Sequence, residues 1–316
     1  MYEMEVMVHF GAANFCCCPK AEVRRPEVLP LQRAVLGSIS CPFFEILCIS
    51  PSNIVLIMQQ LRHIVALRTA TRHAHDIIES HPFSQSILQQ QICPIAWAAM
   101  ITGLHTYYTQ LESTLASSQL VYNVCTQHGK LARAHILSQA QPVAWQLAVQ
   151  AQPSIDMARM QQHIQHIQDH VISELHTIRP PVVHHTDPLS LHQQSPSPSP
   201  PTSSAHHHAA IGHAYTRYMG DLLGGAILRP RAAAALRVPT SHPAVAYLDF
   251  DNIAKRGAFV KQYRLDMNEL LDGLTSEQRG QVEAAASHGF VLSMSIFDMA
   301  QQATAAASTA PITSSS

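Results

Sequence analysis

"HAYTRYMGDLLGG", residues 213–225, is the stretch on which the reading of this chain turns. It looks helical, yet Gly220, Gly224 and Gly225 fall inside it. A glycine in a helix interior costs roughly 1 kcal/mol relative to alanine. Gly220 and Gly224 stand one helical turn apart and share a face. A face without Cβ atoms admits two uses. It lets another helix pack closely, the commoner use of small residues at this spacing, or it lets a flat ligand lie against the backbone. Glycine pairs also allow a helix to bend. Asp221 adjoins that face, and a carboxylate beside an apolar, backbone-lined cleft needs a partner or ordered water.

Outward from this stretch, helical spacing dominates. "QQLRHIVALRTATRHAHDIIESH" (59–81) has apolar positions at helical intervals and no Gly or Pro. "PIAWAAMITGLHTYYTQLESTLAS" (94–117) opens on Pro94, a favoured first-turn residue. Helical patterning continues on both sides of Pro153, resumes near 206, and returns at 255–272 and 275–303. No alternating strand pattern of useful length interrupts it. The fold predicted is all-α, a single multi-helix domain over 59–303. Residues 1–58 carry five prolines and no sustained period, and read as an extension. Residues 177–205, with "SPSPSPP", read as an inserted loop, and 304–316 as a disordered tail.

Composition narrows the function. Charged residues make up only 13% of the 316, so Gln, Ser, Thr and His must cover the solvated faces. The formal net charge of −1 argues against nucleic acid as a partner. Seven cysteines without a paired C-x-x-C spacing argue against a disulfide framework or zinc site and for a reducing compartment. The stretch 41–58 is broken by Pro42, Glu45 and Pro51, so no transmembrane segment is expected. The N-terminus lacks the basic start of a signal peptide. A soluble, cytoplasmic monomer is the expectation, with a plastid or other organelle as the alternative if residues 1–58 are a targeting segment.

The 213–225 stretch resembles the signature of heme oxygenases. The resemblance implies heme b, as substrate and cofactor, held between a proximal helix and a kinked distal helix. Gly220, Gly224 and Gly225 would let the distal backbone approach the porphyrin, and Asp221 would order the water that delivers protons to bound O2. "LRTATRHAHDIIE" (67–79) resembles the proximal helix and places the iron ligand at His75. Glu79, four residues on, would accept the second ring proton. His73 competes locally but points to another face and lacks that glutamate. Arg68, Tyr215 and Arg264 fall on propionate-binding positions, with Lys261 beside Val260, where the family has a lysine. Phe290 and Phe297 would wall the pocket, and Tyr108 would stand near the distal water. Leu223, Ala226 and Ser293 depart from the family pattern.

The activity implied is cleavage of heme to biliverdin, carbon monoxide and ferrous iron. Electrons would come from a redox partner, an NADPH-dependent reductase or a ferredoxin, since no flavin or nicotinamide motif is present. The alternative is a non-catalytic heme-binding or heme-sensing protein of the same fold. Just over half of the 21 histidines lie between 163 and 213. His163, His166 and His170 share a helical face, and His206–His208 are consecutive. They read as a neutral polar surface, with a secondary metal site as the other reading.

Overall fold

The computed structural model describes residues 61–176, 203–250 and 252–308. The expected extension over 1–58 lies outside them, as does most of the expected insert. Nine α-helices and one 3-10 helix follow in order among the described residues, which contain no strand: α1 Arg62–Ser80, α2 Pro82–Leu88, α3 Pro94–Ala116, α4 Gln119–Thr126, α5 Ala134–Ala151, α6 Met157–His176, α7 Ser203–Leu236, the 3-10 helix Pro243–Leu248, α8 Arg256–Asp272 and α9 Ser276–Ser308. The last helix runs beyond the expected boundary at 303. Ala303 and Ala307 are buried, and Gln152 Nε2 donates to the Ala307 carbonyl at 3.1 Å.

Local chemistry sets the helix ends. His81 is extended because proline follows it; Pro82 then opens α2, and the His81 ring caps the Phe83 amide at 3.2 Å. Pro94 opens α3 in the same way. Thr275 and Gln278 form a reciprocal capping box at the start of α9, with contacts of 3.3 and 2.8 Å. Glu112 accepts from the amides of Arg133 and Ala134 at 2.6 and 3.1 Å, satisfying the first donors of α5.

Helix α3 is apolar all round and buried along most of its length, as a central helix must be. Helices α5, α6, α7 and α9 pack around it. Its Trp97 Nε1 reaches the Ala244 carbonyl at 2.9 Å, anchoring the 3-10 helix. The two long helices α7 and α9 make the most extensive contact among the described helices. Gly212 allows it: a Cβ there would sit 2.3 Å from the Val282 carbonyl and 2.7 Å from the Ala286 nitrogen. Helix α1 also packs along α9, yet α1 and α7 scarcely touch each other. Helices α1 and α7 are thus both seated on α9 without packing on each other.

Candidate functional site

The glycines of the opening stretch divide between the two uses that spacing left open. A Cβ on Gly220 would meet nothing within 4 Å, and one on Gly224 only Leu228 Cδ1 at 3.5 Å. These two present bare backbone to open space. Gly225 does not: its Cβ would fall 2.6 Å from the Leu248 carbonyl oxygen. It serves the packing of α7 on the 3-10 helix. Helix α7 runs unbroken through all three glycines and through Pro230.

Asp221 is 7% exposed and fully engaged. Arg217, one turn earlier, donates from Nη2 to Oδ1 at 3.0 Å and Oδ2 at 3.2 Å. The Tyr108 hydroxyl donates to Oδ2 from α3. Arg217 Nη1 donates to Ser293 Oγ at 3.2 Å, and the Ser293 hydroxyl in turn donates to the Gly289 carbonyl at 2.7 Å. The guanidinium carbon lies 5.5 Å from the Tyr108 ring centre and 5.8 Å from that of Tyr107. Burial works against the Arg217 charge, but Asp221 together with Tyr108, Tyr107 and Tyr247 outweighs it and raises the pKa. Burial, reinforced by Asp221, holds Tyr108 protonated well above its ordinary range. Three helices thus lock one carboxylate in a fixed orientation beside the bare backbone of Gly220.

His75 is the counterpart on α1. Its side chain is about half exposed, at 49%. The ring meets Phe290 edge-on, with centroids 5.5 Å apart. Glu79 Oε1 stands 3.7 Å from Nδ1, and Asp76 completes a group of three potential ligands within 4.8 Å of one another. His73 is exposed on the same helix without such neighbours. One short stretch of α9 ties the two sides together. Gly289 lies against Thr216, Phe290 against His75, and Ser293 against Arg217.

Positive charge gathers at one edge. Tyr215, 9% exposed, feels both Arg264 and Arg68; burial raises its pKa and the two arginines oppose the rise. Lys261 is exposed and Val260 buried at 8%, so the lysine stands one position from the place the family pattern gives it. Phe297 is not a free wall. It stacks on Phe83 at 4.7 Å and tilts against His81 at 5.7 Å, because α2 packs on this end of α9. Leu223 projects into solvent at 48% exposed.

Sequence reasoning missed Arg217, although R-Y-M-G-D carries the i,i+4 signal of an ion pair. It also counted Ser293 as a departure, whereas the short side chain still reaches Arg217. The histidine-rich segments take a third course. His163 Nε2 bonds the Met299 carbonyl at 2.8 Å, His170 bonds Ser295 at 2.6 Å, and His208 bonds Gln281 at 3.0 Å. These rings join α6 and α7 to α9, and they form no metal-ligand group among the described residues. None of the described helices is long and apolar enough to cross a membrane.

Comparison with known proteins follows the same lines. The family model for heme oxygenase matches residues 194–299. Human heme oxygenase 1 is 26% identical over 243 residues, covering 75% of this chain and 71% of its own. Bovine heme oxygenase 1 is 41% identical over a shorter stretch of 91 residues, 29% of this chain and 31% of its own. Among solved structures, heme oxygenase-1 of the cyanobacterium Synechocystis, in complex with heme, superposes with a TM-score of 0.53 at 21% identity, over 75% of this chain and 90% of that one. The sequence over residues 194–299 is thus similar to heme oxygenases, and the all-α fold is the one their solved structures have.

Proposed function

We propose that this protein binds heme between α1 and α7 and opens its ring to biliverdin, carbon monoxide and ferrous iron, with O2 and electrons from an external reductase or ferredoxin. One observation carries the reading. Two helices that barely touch, both seated on α9, carry a half-exposed histidine and a bare-backbone strip backed by a buried, hydrogen-bonded carboxylate. The residues fit the group. His75 has an accessible ring to ligate iron and Glu79 beside Nδ1 to hold its tautomer. Gly220 and Gly224 leave room for a flat macrocycle. Arg68, Arg264 and Tyr215, with Lys261, suit the two propionates.

When bound, heme supplies the oxygen-activating iron and the carbon that is oxidised. The chain supplies orientation and a proton. Asp221 is fixed by Arg217 and Tyr108, so it can order water without swinging away. Tyr108, held protonated by burial and by Asp221, provides a hydroxyl at the same carboxylate. The side-chain-free strip sets how close a ligand comes to that group.

The test is heme titration followed by single-turnover product analysis in Asp221→Ala. Heme should still bind through His75, while biliverdin formation should be lost. Normal biliverdin formation would sink the assignment of Asp221. The second reading, a non-catalytic heme binder, is favoured by Val260, which is buried where a propionate lysine is expected. It requires that the unmodified protein bind heme and yield no biliverdin with ascorbate or a reductase.

A further inference from the structure

Asp76 has no task in heme ligation, yet its carboxylate joins the cluster of His75 and Glu79. One ligand atom from each of the three lies within 4.8 Å of the others. Consecutive residues of a helix diverge by about 100°, so the Asp76 side chain has to lean toward the imidazole to come this close. Among the described residues no hydrogen bond or ion pair reaches its carboxylate. Arg72 stands one turn before it, at the spacing where helix ion pairs form, and makes none. The Glu79 carboxylate meets only His75, 3.7 Å from Nδ1. Two acidic groups therefore converge on one imidazole, and Asp76 has no cation of its own.

This donor set is the kind a divalent transition ion takes. Imidazole and carboxylate together suit iron, manganese, cobalt and zinc. An ion about 2.1 Å from each donor holds neighbouring donors about 3–3.5 Å apart. The His75 and Glu79 atoms are already close to that separation, and all three side chains are exposed, so small rotations close the rest. Phe290 meets the His75 ring edge-on, with centroids 5.5 Å apart, which presets one donor of the three. Three protein donors leave the remaining positions to water.

We propose that His75, Asp76 and Glu79 form a binding site for one divalent transition-metal ion, ferrous iron being the ion that ring opening would release, and that this ion and heme exclude each other at His75. The ion site stands on the cluster alone. The exclusion rests on the reading of His75 as the heme ligand.

The exclusion follows from the chemistry of the ring. Neutral imidazole has one nitrogen with a lone pair and one that carries hydrogen. Heme ligation with Glu79 holding the Nδ1 hydrogen leaves the lone pair on Nε2. An ion bound with Asp76 and Glu79 takes the lone pair on Nδ1, beside Glu79, and the hydrogen moves through solvent to Nε2. One ring cannot serve both in its neutral form. A released ferrous ion held here would keep the next heme from its ligand until it left, so iron export would set the pace of reloading.

Manganese(II) chloride alone, titrated into the heme-free full-length chain, tests the site. Mn2+ broadens the NMR signals of nuclei near it, and amides 73–79 of α1 should broaden first, with one ion per chain. Broadening spread over exposed acids without preference for α1 overturns the proposal, and this arm needs no variant. Asp76→Asn should weaken Mn2+ binding by about tenfold or more, since even groups outside the ligand shell contribute that much; unchanged affinity overturns it as well. Without metal, Asp76→Asn should bind heme as the unmodified chain does. With Mn2+ near saturation, the apparent heme affinity of the unmodified chain should fall several-fold and that of Asp76→Asn should hold. Heme binding undiminished beside bound Mn2+ overturns the exclusion. A chain that binds Mn2+ at α1 but no heme sinks the ring-opening reading and leaves the ion site, and the reverse result sinks only the ion site.

Discussion

Two i,i+4 pairs of acid and base stand on two helices of this protein, with the same spacing and opposite fates. His75 and Glu79 on α1 are 49% and 50% exposed and lie 3.7 Å apart. Arg217 and Asp221 on α7 are 10% exposed each and lie 3.0 Å apart, with Tyr108 and Ser293 completing their hydrogen bonds. An exposed pair of this kind contributes about 0.3–0.5 kcal/mol. A buried pair is different in kind, because removing one partner strands a charge in a low-dielectric interior. The exposed pair leaves a ring free to take a ligand. The buried pair gives up freedom and fixes one carboxylate.

The largest effect should come from breaking the buried pair. Arg217→Leu leaves Asp221 without its cation and should cost about 3–5 kcal/mol in chemical denaturation. A cost below 1 kcal/mol would mean that Asp221 relaxes to solvent and is not fixed at all. Next in size are the packing glycines. Gly212→Ala and Gly225→Ala push a methyl group into backbone at 2.3 and 2.6 Å. Each should destabilise by about 1–3 kcal/mol, and thermal melts of the heme-free protein would measure it.

Acid sensitivity comes third. His213 has a folded pKa near 3, lowered by burial and then by His288, against about 6.5 when unfolded. The unfolded chain therefore binds more protons between these values. The contribution of His213 is fully present above pH 6.5 and is lost as pH falls toward 3, at up to about 1.4 kcal/mol per pH unit. His213→Gln should flatten the stability profile over that window. An unaltered slope would show that the ring is not held neutral.

Gly220→Ala has the opposite sign. With nothing near its Cβ and ordinary helical backbone, alanine should stabilise the heme-free chain by about 0.5–1 kcal/mol. The same change should weaken heme binding, and only that opposition of signs separates a ligand-facing glycine from an incidental one. Smallest in stability is His75→Ala, expected within about 0.5 kcal/mol of the unmodified chain. Its effect belongs to the heme spectrum instead, which should lose its normal six-coordinate form and partly regain it with added imidazole. If His73→Ala does this and His75→Ala does not, the ligand is misassigned.

Much of this was legible in the residues themselves. Helical period, prolines at first turns and the lack of alternation determine an all-α chain, since each rests on local geometry that three or four neighbouring residues express. The 213–225 stretch likewise carries Asp221 and its three glycines on its own. What local pattern cannot contain is exposure. Gly220 and Gly225 are the same residue five positions apart, and only the approach of the Leu248 carbonyl makes one a packing surface and leaves the other open. Arg217 was visible four positions from Asp221, yet its weight depends on Tyr108 and Ser293 arriving from distant helices. Tyr107, His213, His288 and Glu174 meet through their side chains yet span 181 positions of sequence; no spacing rule links them, because their association exists only where four helices cross. Burial, and with it the strength of every charge and hydrogen bond, is a property of what packs against a residue, and that was decided by the tertiary structure.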